Sequence, residues 1–129
     1  WILDKLLEEL NLRGKILNNL KVLFIGISYK KNVDDVRESH AVKLINLFNE
    51  NKAEISYHDT FLEYFKFDFS EQKPQKSIKL KPKNISSYDL VVIATDHDNI
   101  DYQLIYDNAK LILDTRGKYS NSDKKIISA

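Results

Sequence analysis

Short, uninterrupted apolar runs constrain the fold of this chain more than any other feature of its sequence. The run 22–25 ends at Gly26, the run 90–94 is followed by Thr95, and the run 111–113 is followed by Asp114-Thr115-Arg116. Continuous apolar strands of this length are typical of a parallel sheet whose two faces are both covered by helices. These runs therefore predict the central strands of an α/β domain.

Segments with helical spacing lie between the apolar runs. Leucines at positions 3, 6, 7 and 10 predict a helix over 2–10, with Gly14 near its C-terminal cap. Residues 38–51, with Ser39 as N-cap, and residues 101–109 predict two more helices. Further strands are predicted at 53–57 and 125–127, with a short edge strand at 77–80 as an option. The alternation predicts a Rossmann-like three-layer α/β domain with a mainly parallel sheet of about five to six strands.

Composition excludes several function classes. The 129 residues carry 20 basic and 19 acidic side chains, a formal net charge of +1, which does not favour nucleic acid or an anionic membrane surface as a partner. There is no cysteine, so these residues hold no disulfide, thiolate metal site or cysteine nucleophile. No membrane span or signal-peptide pattern is present, and we expect a cytoplasmic protein. Because the chain begins at Trp1 instead of Met, we expect a piece of a longer protein.

The loop after the first apolar run is the first candidate binding site. Ligands of parallel sheets bind outside the carboxyl ends of the strands, which places candidate sites at 26–37, 58–60, 95–98 and 114–116. The first loop lacks the Gly-x-Gly-x-x-Gly pattern that cradles a dinucleotide. It offers instead an aromatic side chain, two lysines and an arginine, which suit a phosphate: Tyr29, Lys30, Lys31 and Arg37. The alternative is a solvated charged loop with no ligand.

Residues 26–39, Gly-Ile-Ser-Tyr-Lys-Lys-Asn-Val-Asp-Asp-Val-Arg-Glu-Ser, resemble the signature that opens the C-terminal domain of the UDP-glucose/GDP-mannose dehydrogenase family. Three further pieces follow in the order of that family: 56–59 (Ser-Tyr-His-Asp), 94–97 (Ala-Thr-Asp-His) and 113–116 (Leu-Asp-Thr-Arg). The form of the first piece is most similar to the branch that oxidises UDP-N-acetylhexosamines. Three residues depart from those usual in the family, namely Asn32, His40 and Thr60. They make the assignment to a branch of the family less specific.

The resemblance implies roles for four residues. Tyr29 and Lys30 would contact the UDP part of a UDP-sugar substrate, and Arg116 would pair with its phosphates. Arg37 matches an arginine that reaches the NAD cofactor, which is held mainly by a separate N-terminal domain. The resemblance also implies a division into residues 1–20, the tail of a linker helix from a central domain, and residues 21–129, the UDP-sugar-binding C-terminal domain.

The parent protein implied by the resemblance is an NAD-dependent UDP-sugar 6-dehydrogenase. Members of the family oxidise the 6-hydroxymethyl group of the sugar to a carboxylate in two hydride transfers, through a cysteine thiohemiacetal and thioester. The full enzymes are homo-oligomers, and the product serves surface polysaccharide synthesis. With no cysteine and no glycine-rich NAD loop, these residues contain no catalytic residue of their own. The alternative is a stand-alone, non-catalytic nucleotide-binding or interaction module.

Three other features have simpler interpretations. Asp96-His97-Asp98 could ligate a metal, but helix capping by an aspartate is favoured, with a role in shaping the cleft implied by the resemblance. Asp59 ends the second strand, and we expect it to bond its own backbone in a turn. The segment 61–83 mixes aromatic residues with lysines, yet acidic residues dilute it, so a partly buried connection or a subunit contact is favoured over single-stranded nucleic acid.

Overall fold

In the computed structural model, which describes residues 2–28, 32, 36–37, 39–69, 73–119 and 123–129, a parallel sheet lies between two layers of helices. The elements in chain order are α1 (Ile2–Leu12), β1 (Lys21–Ile25), α2 (His40–Glu50), β2 (Glu54–His58), β3 (Tyr64–Phe65), β4 (Gln75–Lys76), α3 (Pro82–Ser86), β5 (Leu90–Ile93), α4 (Tyr102–Asn108), β6 (Ile112–Asp114) and β7 (Ile126–Ser128). The five-stranded sheet has the order β2-β1-β5-β6-β7, and every neighbouring pair is parallel. The predicted Rossmann-like α/β fold is therefore confirmed.

The sheet buries side chains on both of its faces. On β1, Val22 and Phe24 pack with residues of α1 and α2, while Leu23 and Ile25 face the side covered by α3 and α4. All four side chains are fully buried. Two separate apolar clusters, one on each face, explain why the central strands have no polar residue in alternation.

The predicted helices begin and end close to the expected residues. Ser39 caps α2: its side-chain oxygen accepts a hydrogen bond from the N–H of Val42 (3.3 Å). The capping group of α4 is Asp101, which accepts from the N–H of Leu104 (3.0 Å), so the capping role expected within 96–98 belongs to a later aspartate. Gly14, just beyond α1, has φ +69°, the left-handed conformation that a residue after a helix favours.

The connection between β2 and α3 is partly ordered by its own aromatic residues. Phe67 is 1% exposed and lies in the main apolar cluster, with its ring stacked on Phe69 (centroids 5.2 Å apart) and edge-on to Tyr57 (5.8 Å). The two-residue strands β3 and β4 pair antiparallel within this connection. The interpretation of 61–83 as a partly buried connection is confirmed for its described residues.

The same connection covers the outer edge of β2. The N–H of Ile78 donates to the carbonyl of Tyr57 (2.7 Å), and the side-chain amide of Gln75 donates to the carbonyl of Ile55 (3.2 Å). The edge strand suggested at 77–80 is not formed, because this segment makes only isolated bonds to β2 and the paired residues are Gln75–Lys76. The short helix α3 was not predicted.

Within the part of the chain that the structure describes, no helix has the length and apolar content needed to cross a lipid bilayer.

Candidate functional site

The strand order places a crevice between β1 and β5. The chain starts the sheet at β1, adds β2 on one side and then adds β5, β6 and β7 on the other. The segments leaving the carboxyl ends of β1 and β5 therefore diverge, and crevices of this kind are the ligand sites of open parallel sheets. Of the segments singled out in the sequence, residues 26–28 and Asn32 of the first and residues 95–98 of the third lie at this point.

Gly26 lets the two strand ends approach each other. It has φ +80°, and a Cβ atom at this position would lie 2.5 Å from the carbonyl oxygen of Thr95. Its N–H donates to the carbonyl of His58 (2.8 Å), while the Thr95 hydroxyl donates to the carbonyl of Ser28 (2.9 Å). The single glycine of this loop thus serves the packing of the three strand exits.

A buried pair of polar side chains, Asp59 and His97, joins the exits of β2 and β5. Asp59 is 1% exposed and His97 is fully buried. Nε2 of His97 lies 3.0 Å from Oδ2 of Asp59, and the Ser28 hydroxyl lies 3.1 Å from the same nitrogen. The ring of Phe61 covers the imidazole at a centroid distance of 4.8 Å. The contact crosses β1, which lies between β2 and β5 in the sheet.

Asp59 is held as a carboxylate by several donors. Its Oδ2 accepts from the backbone N–H of Ile27 (2.9 Å) and its Oδ1 accepts from that of Phe61 (2.9 Å). Burial raises the pKa of this carboxyl, but the hydrogen bonds from His97, Ile27 and Phe61 outweigh burial and leave the pKa below its usual value of 3.8. The expected bond of Asp59 to its own turn is confirmed by the contact with Phe61, and the bonds to Ile27 and His97 were missed.

Asn32 attaches the far part of the first loop to the exit of β5. Its backbone N–H donates to Nδ1 of His97 (2.6 Å). Its side-chain amide donates to the carboxylate of Asp98 (2.7 Å) and accepts from the backbone N–H of the same residue (3.0 Å). Asn32 has φ 62°, a left-handed conformation that asparagine tolerates better than most residues. His97 and Asp98 are thus engaged with protein groups, and no metal-binding cluster of three or more such side chains occurs among the described residues.

Arg116 lies at the exit of β6 beside a cavity of about 360 Å³. Its Nε donates to the carbonyl of Ala94 (2.9 Å), and its backbone N–H donates to the buried carboxylate of Asp114 (3.0 Å). The cavity is lined by apolar residues of α1 and α2 and by two cationic side chains, those of Lys43 and Arg116. An apolar cleft with two cations at its rim can bind an anionic ligand by charge-assisted hydrogen bonds.

The four residues with predicted roles differ in what the structure says of them. Arg116 is exposed and lines the cavity. Arg37 is exposed in the turn before α2, two residues ahead of the N-cap Ser39. Tyr29 and Lys30 lie outside the described residues. Sequence reasoning missed the pairing of Asp59 with His97, and the available signal for it was that Asp59 directly follows a strand and His97 follows another by four residues.

A family profile described as "UDP-glucose/GDP-mannose dehydrogenase family, UDP binding domain" matches residues 23–121. A UDP-N-acetyl-D-mannosamine dehydrogenase of Methanococcus maripaludis is 32% identical over 98 residues, which are 76% of this chain and 20% of that protein. The chain thus spans about a fifth of the length (20%) of this curated relative.

Two solved structures have the same fold over nearly the whole chain. A UDP-D-ManNAc dehydrogenase from Pyrococcus horikoshii aligns with a TM-score of 0.73 and 21% identity, covering 98% of this chain and 29% of the other. A UDP-N-acetyl-mannosamine dehydrogenase from S. aureus aligns with a TM-score of 0.63 and 26% identity, covering 98% and 29%. Taken with the profile match across most of the sheet, these similarities lead to one conclusion: the chain belongs to the UDP-glucose/GDP-mannose dehydrogenase family, as its C-terminal UDP binding domain.

Proposed function

We propose that this chain binds the UDP part of a UDP-sugar for an NAD-dependent UDP-sugar 6-dehydrogenase of which it forms the C-terminal domain. The observation that carries the proposal is the position of Arg116, fixed to the exit of β5 through Ala94 and lining an apolar cavity beside Lys43. A guanidinium in this position can make two parallel hydrogen bonds to a diphosphate. The relatives named UDP-N-acetyl-D-mannosamine dehydrogenases favour an N-acetylhexosamine as the sugar.

The proposal gives each predicted residue one task. Arg116 pairs with the phosphates, and Tyr29 and Lys30, on the loop after β1, contact the nucleotide. Arg37 extends toward NAD, which is held mainly by another domain. Binding energy on the diphosphate, remote from the reacting carbon, positions the sugar for hydride transfer and so supports turnover as well as affinity.

Chemistry itself requires groups from outside these residues. Oxidation of a hydroxymethyl group to a carboxylate removes four electrons in two hydride transfers to NAD. A covalent route through a thiohemiacetal needs a cysteine, and the 129 residues contain none. We therefore assign substrate binding, and no catalytic residue, to this chain.

The remaining expectations are part of the same proposal. Residues 1–20 would be the tail of a helix that links this domain to a central one, and 21–129 the UDP-binding domain. The amphipathic character of α1 supports this, since Leu6 and Leu10 are buried while Leu12 is 74% exposed. By its resemblance to the family, the whole enzyme would be a cytoplasmic homo-oligomer.

Calorimetric or NMR titration of the 129-residue chain with UDP and, separately, with NAD tests the proposal. UDP should bind, NAD should bind much more weakly, and Arg116→Ala should weaken UDP binding by roughly 1.5–3 kcal/mol through loss of a charge-assisted contact. Arg13→Ala is the matched control. Arg13 pairs with Glu9 and lines a cavity with Lys110 and Lys124, which precede β6 and β7 and so lie at the amino ends of the strands, opposite Arg116. Binding of NAD in preference to UDP, or equal UDP affinity in both variants, would contradict the assignment.

A further inference from the structure

His97 contacts the residues on both sides of the proposed nucleotide-binding positions 29 and 30. The Ser28 hydroxyl lies 3.1 Å from Nε2, and the Asn32 backbone N–H donates to Nδ1 at 2.6 Å. Both nitrogens of one buried imidazole are therefore used on the same short loop. The second bond to Nε2 comes from the exit of β2, where Asp59 lies 3.0 Å away.

These contacts select one form of the imidazole. Because a backbone N–H can only donate, Nδ1 has to present its lone pair to Asn32 and cannot carry a proton. Nε2 then carries the hydrogen and donates it to the carboxylate of Asp59, which in turn accepts from the backbone N–H of Ile27 (2.9 Å). The neutral Nε2–H tautomer is thus built into the contact between the three strand exits.

The loop is also fastened beyond the imidazole. The Asn32 side chain makes a reciprocal pair of hydrogen bonds with Asp98, at 2.7 and 3.0 Å. The carbonyl of Ser28 accepts from the hydroxyl of Thr95 (2.9 Å). Residues 28 and 32 are therefore both fixed to the exit of β5, and the side chain of His97 contacts each of them.

We infer that His97 is a positioning residue for UDP binding: it sets the separation and orientation of Ser28 and Asn32, the described residues on either side of the two positions proposed to contact the nucleotide. His97 does not contact the ligand in this role, since its side chain is fully buried. The inference deepens the proposed function and rests on it.

Two variants of His97 isolate the contact to Asn32. In His97→Asn the side-chain oxygen can take the place of Nδ1 and accept from Asn32, whereas His97→Leu has no acceptor. Neither keeps the ring N–H that donates to Asp59, so both lose that bond, and the smaller asparagine also leaves a cavity. Asn99→Ala is the control at the same end of the sheet, after the carboxyl end of β5. Asn99 is exposed and bonds only to the Thr60 hydroxyl among the contacts described.

UDP affinity should depend on whether residue 97 offers a hydrogen-bond acceptor to Asn32, and not on the stability of each variant. At a temperature where all variants are folded, we expect UDP affinity to fall by about tenfold in His97→Leu, the effect of one lost hydrogen bond, and by only about two- to threefold in His97→Asn. Asn99→Ala should bind UDP as the wild type does. Nitrogen-15 shifts of the wild-type imidazole should report Nε2–H in the free chain.

Other outcomes separate this inference from the function it rests on. If the wild type binds UDP and both His97 variants bind it equally well, or with affinities ordered only by their thermal stabilities, His97 has a structural role alone and the inference is overturned. An Nδ1–H tautomer would overturn it as well. If the wild type fails to bind UDP in the presence or absence of NAD, the proposed function itself fails and takes the inference with it.

Discussion

Gly26 and Thr95 lie so close that the backbone at the end of β1 and the backbone after β5 leave no space for a side chain between them. A Cβ atom on Gly26 would lie 2.5 Å from the Thr95 carbonyl oxygen and 2.6 Å from its Cβ. The contact is reinforced by the N–H groups of Ala94 and Thr95, which both donate to the carbonyl of Ile25 (3.0 and 3.1 Å). The contact lies at the switch point in strand order, between the carboxyl ends of β1 and β5.

Gly26→Ala should therefore destabilise the domain strongly. The left-handed backbone and the displaced Thr95 together should lower the free energy of unfolding by about 2–5 kcal/mol, measured by chemical denaturation. Gly14→Ala is the matched control, since Gly14 also has a positive φ (+69°) but no atom within 4 Å of the added carbon. It should cost only about 1–2 kcal/mol. Equal costs would show that close packing at Gly26 is unimportant.

Acid should weaken the domain partly through Asp59. Because hydrogen bonds lower the pKa of its carboxyl in the folded state, the unfolded chain takes up the proton first, near the usual value of 3.8. The contribution of Asp59 is fully present above that pH and is lost as the pH falls through the lower pKa of the folded state. The free energy of unfolding, measured by denaturation at several pH values, should fall less steeply between pH 6 and pH 2 for Asp59→Asn than for the wild type. Parallel curves would contradict this role.

Ser39 should contribute more than an ordinary helix cap. Its oxygen accepts from the N–H of Val42, and its hydroxyl donates to the carbonyl of Ile27 (2.7 Å), a contact that is buried. We expect Ser39→Ala to lower stability by about 2 kcal/mol, and Asp101→Ala, which removes the exposed cap of α4, by about 1 kcal/mol. Thermal unfolding of the two variants compares them directly. A larger effect of Asp101→Ala would mean that the bond to Ile27 adds nothing.

The aromatic packing in the β2–α3 connection should be needed for stability. Phe67 is 1% exposed and touches the rings of Tyr57, Phe65 and Phe69. Phe67→Ala should cost about 3–5 kcal/mol in urea denaturation. Tyr64→Ala, at a position 55% exposed, should cost less than about 1 kcal/mol. Similar small losses for both would mean that this connection contributes little to the core.

The central strands could be predicted from sequence because burial on both faces requires a continuous run of apolar residues, which is a local pattern. The predicted runs at 22–25 and 90–94 contain no polar residue, and the structure buries them in β1 and β5, with Ala94 just beyond the end of β5. The helix cap at Ser39 was predicted for the same kind of local reason. By contrast α3 is five residues long, too short for its apolar spacing to be read.

The sequence indicated single residues of the candidate site but not which of them pair, because the pairing depends on strand order. Val22 pairs with Leu90, far along the chain, and no local pattern specifies that partner. Without this pairing, Asp59 and His97 could be interpreted only one at a time, as a turn residue and as a neighbour of a cap. Arg116 was found through its resemblance to a family motif, and its role in binding phosphates stays a prediction.

The segment that runs along β2 also affects whether a strand of another molecule can pair with this edge of the sheet. An uncovered edge strand presents free N–H and C=O groups and can pair with a strand of another molecule. Here the carbonyls of Ile55 and Tyr57 are already bonded to Gln75 and Ile78. Residues 73–78 thus block edge-to-edge aggregation on this side of the sheet. Their loss would leave the outer edge of β2 free to pair with a strand of another molecule.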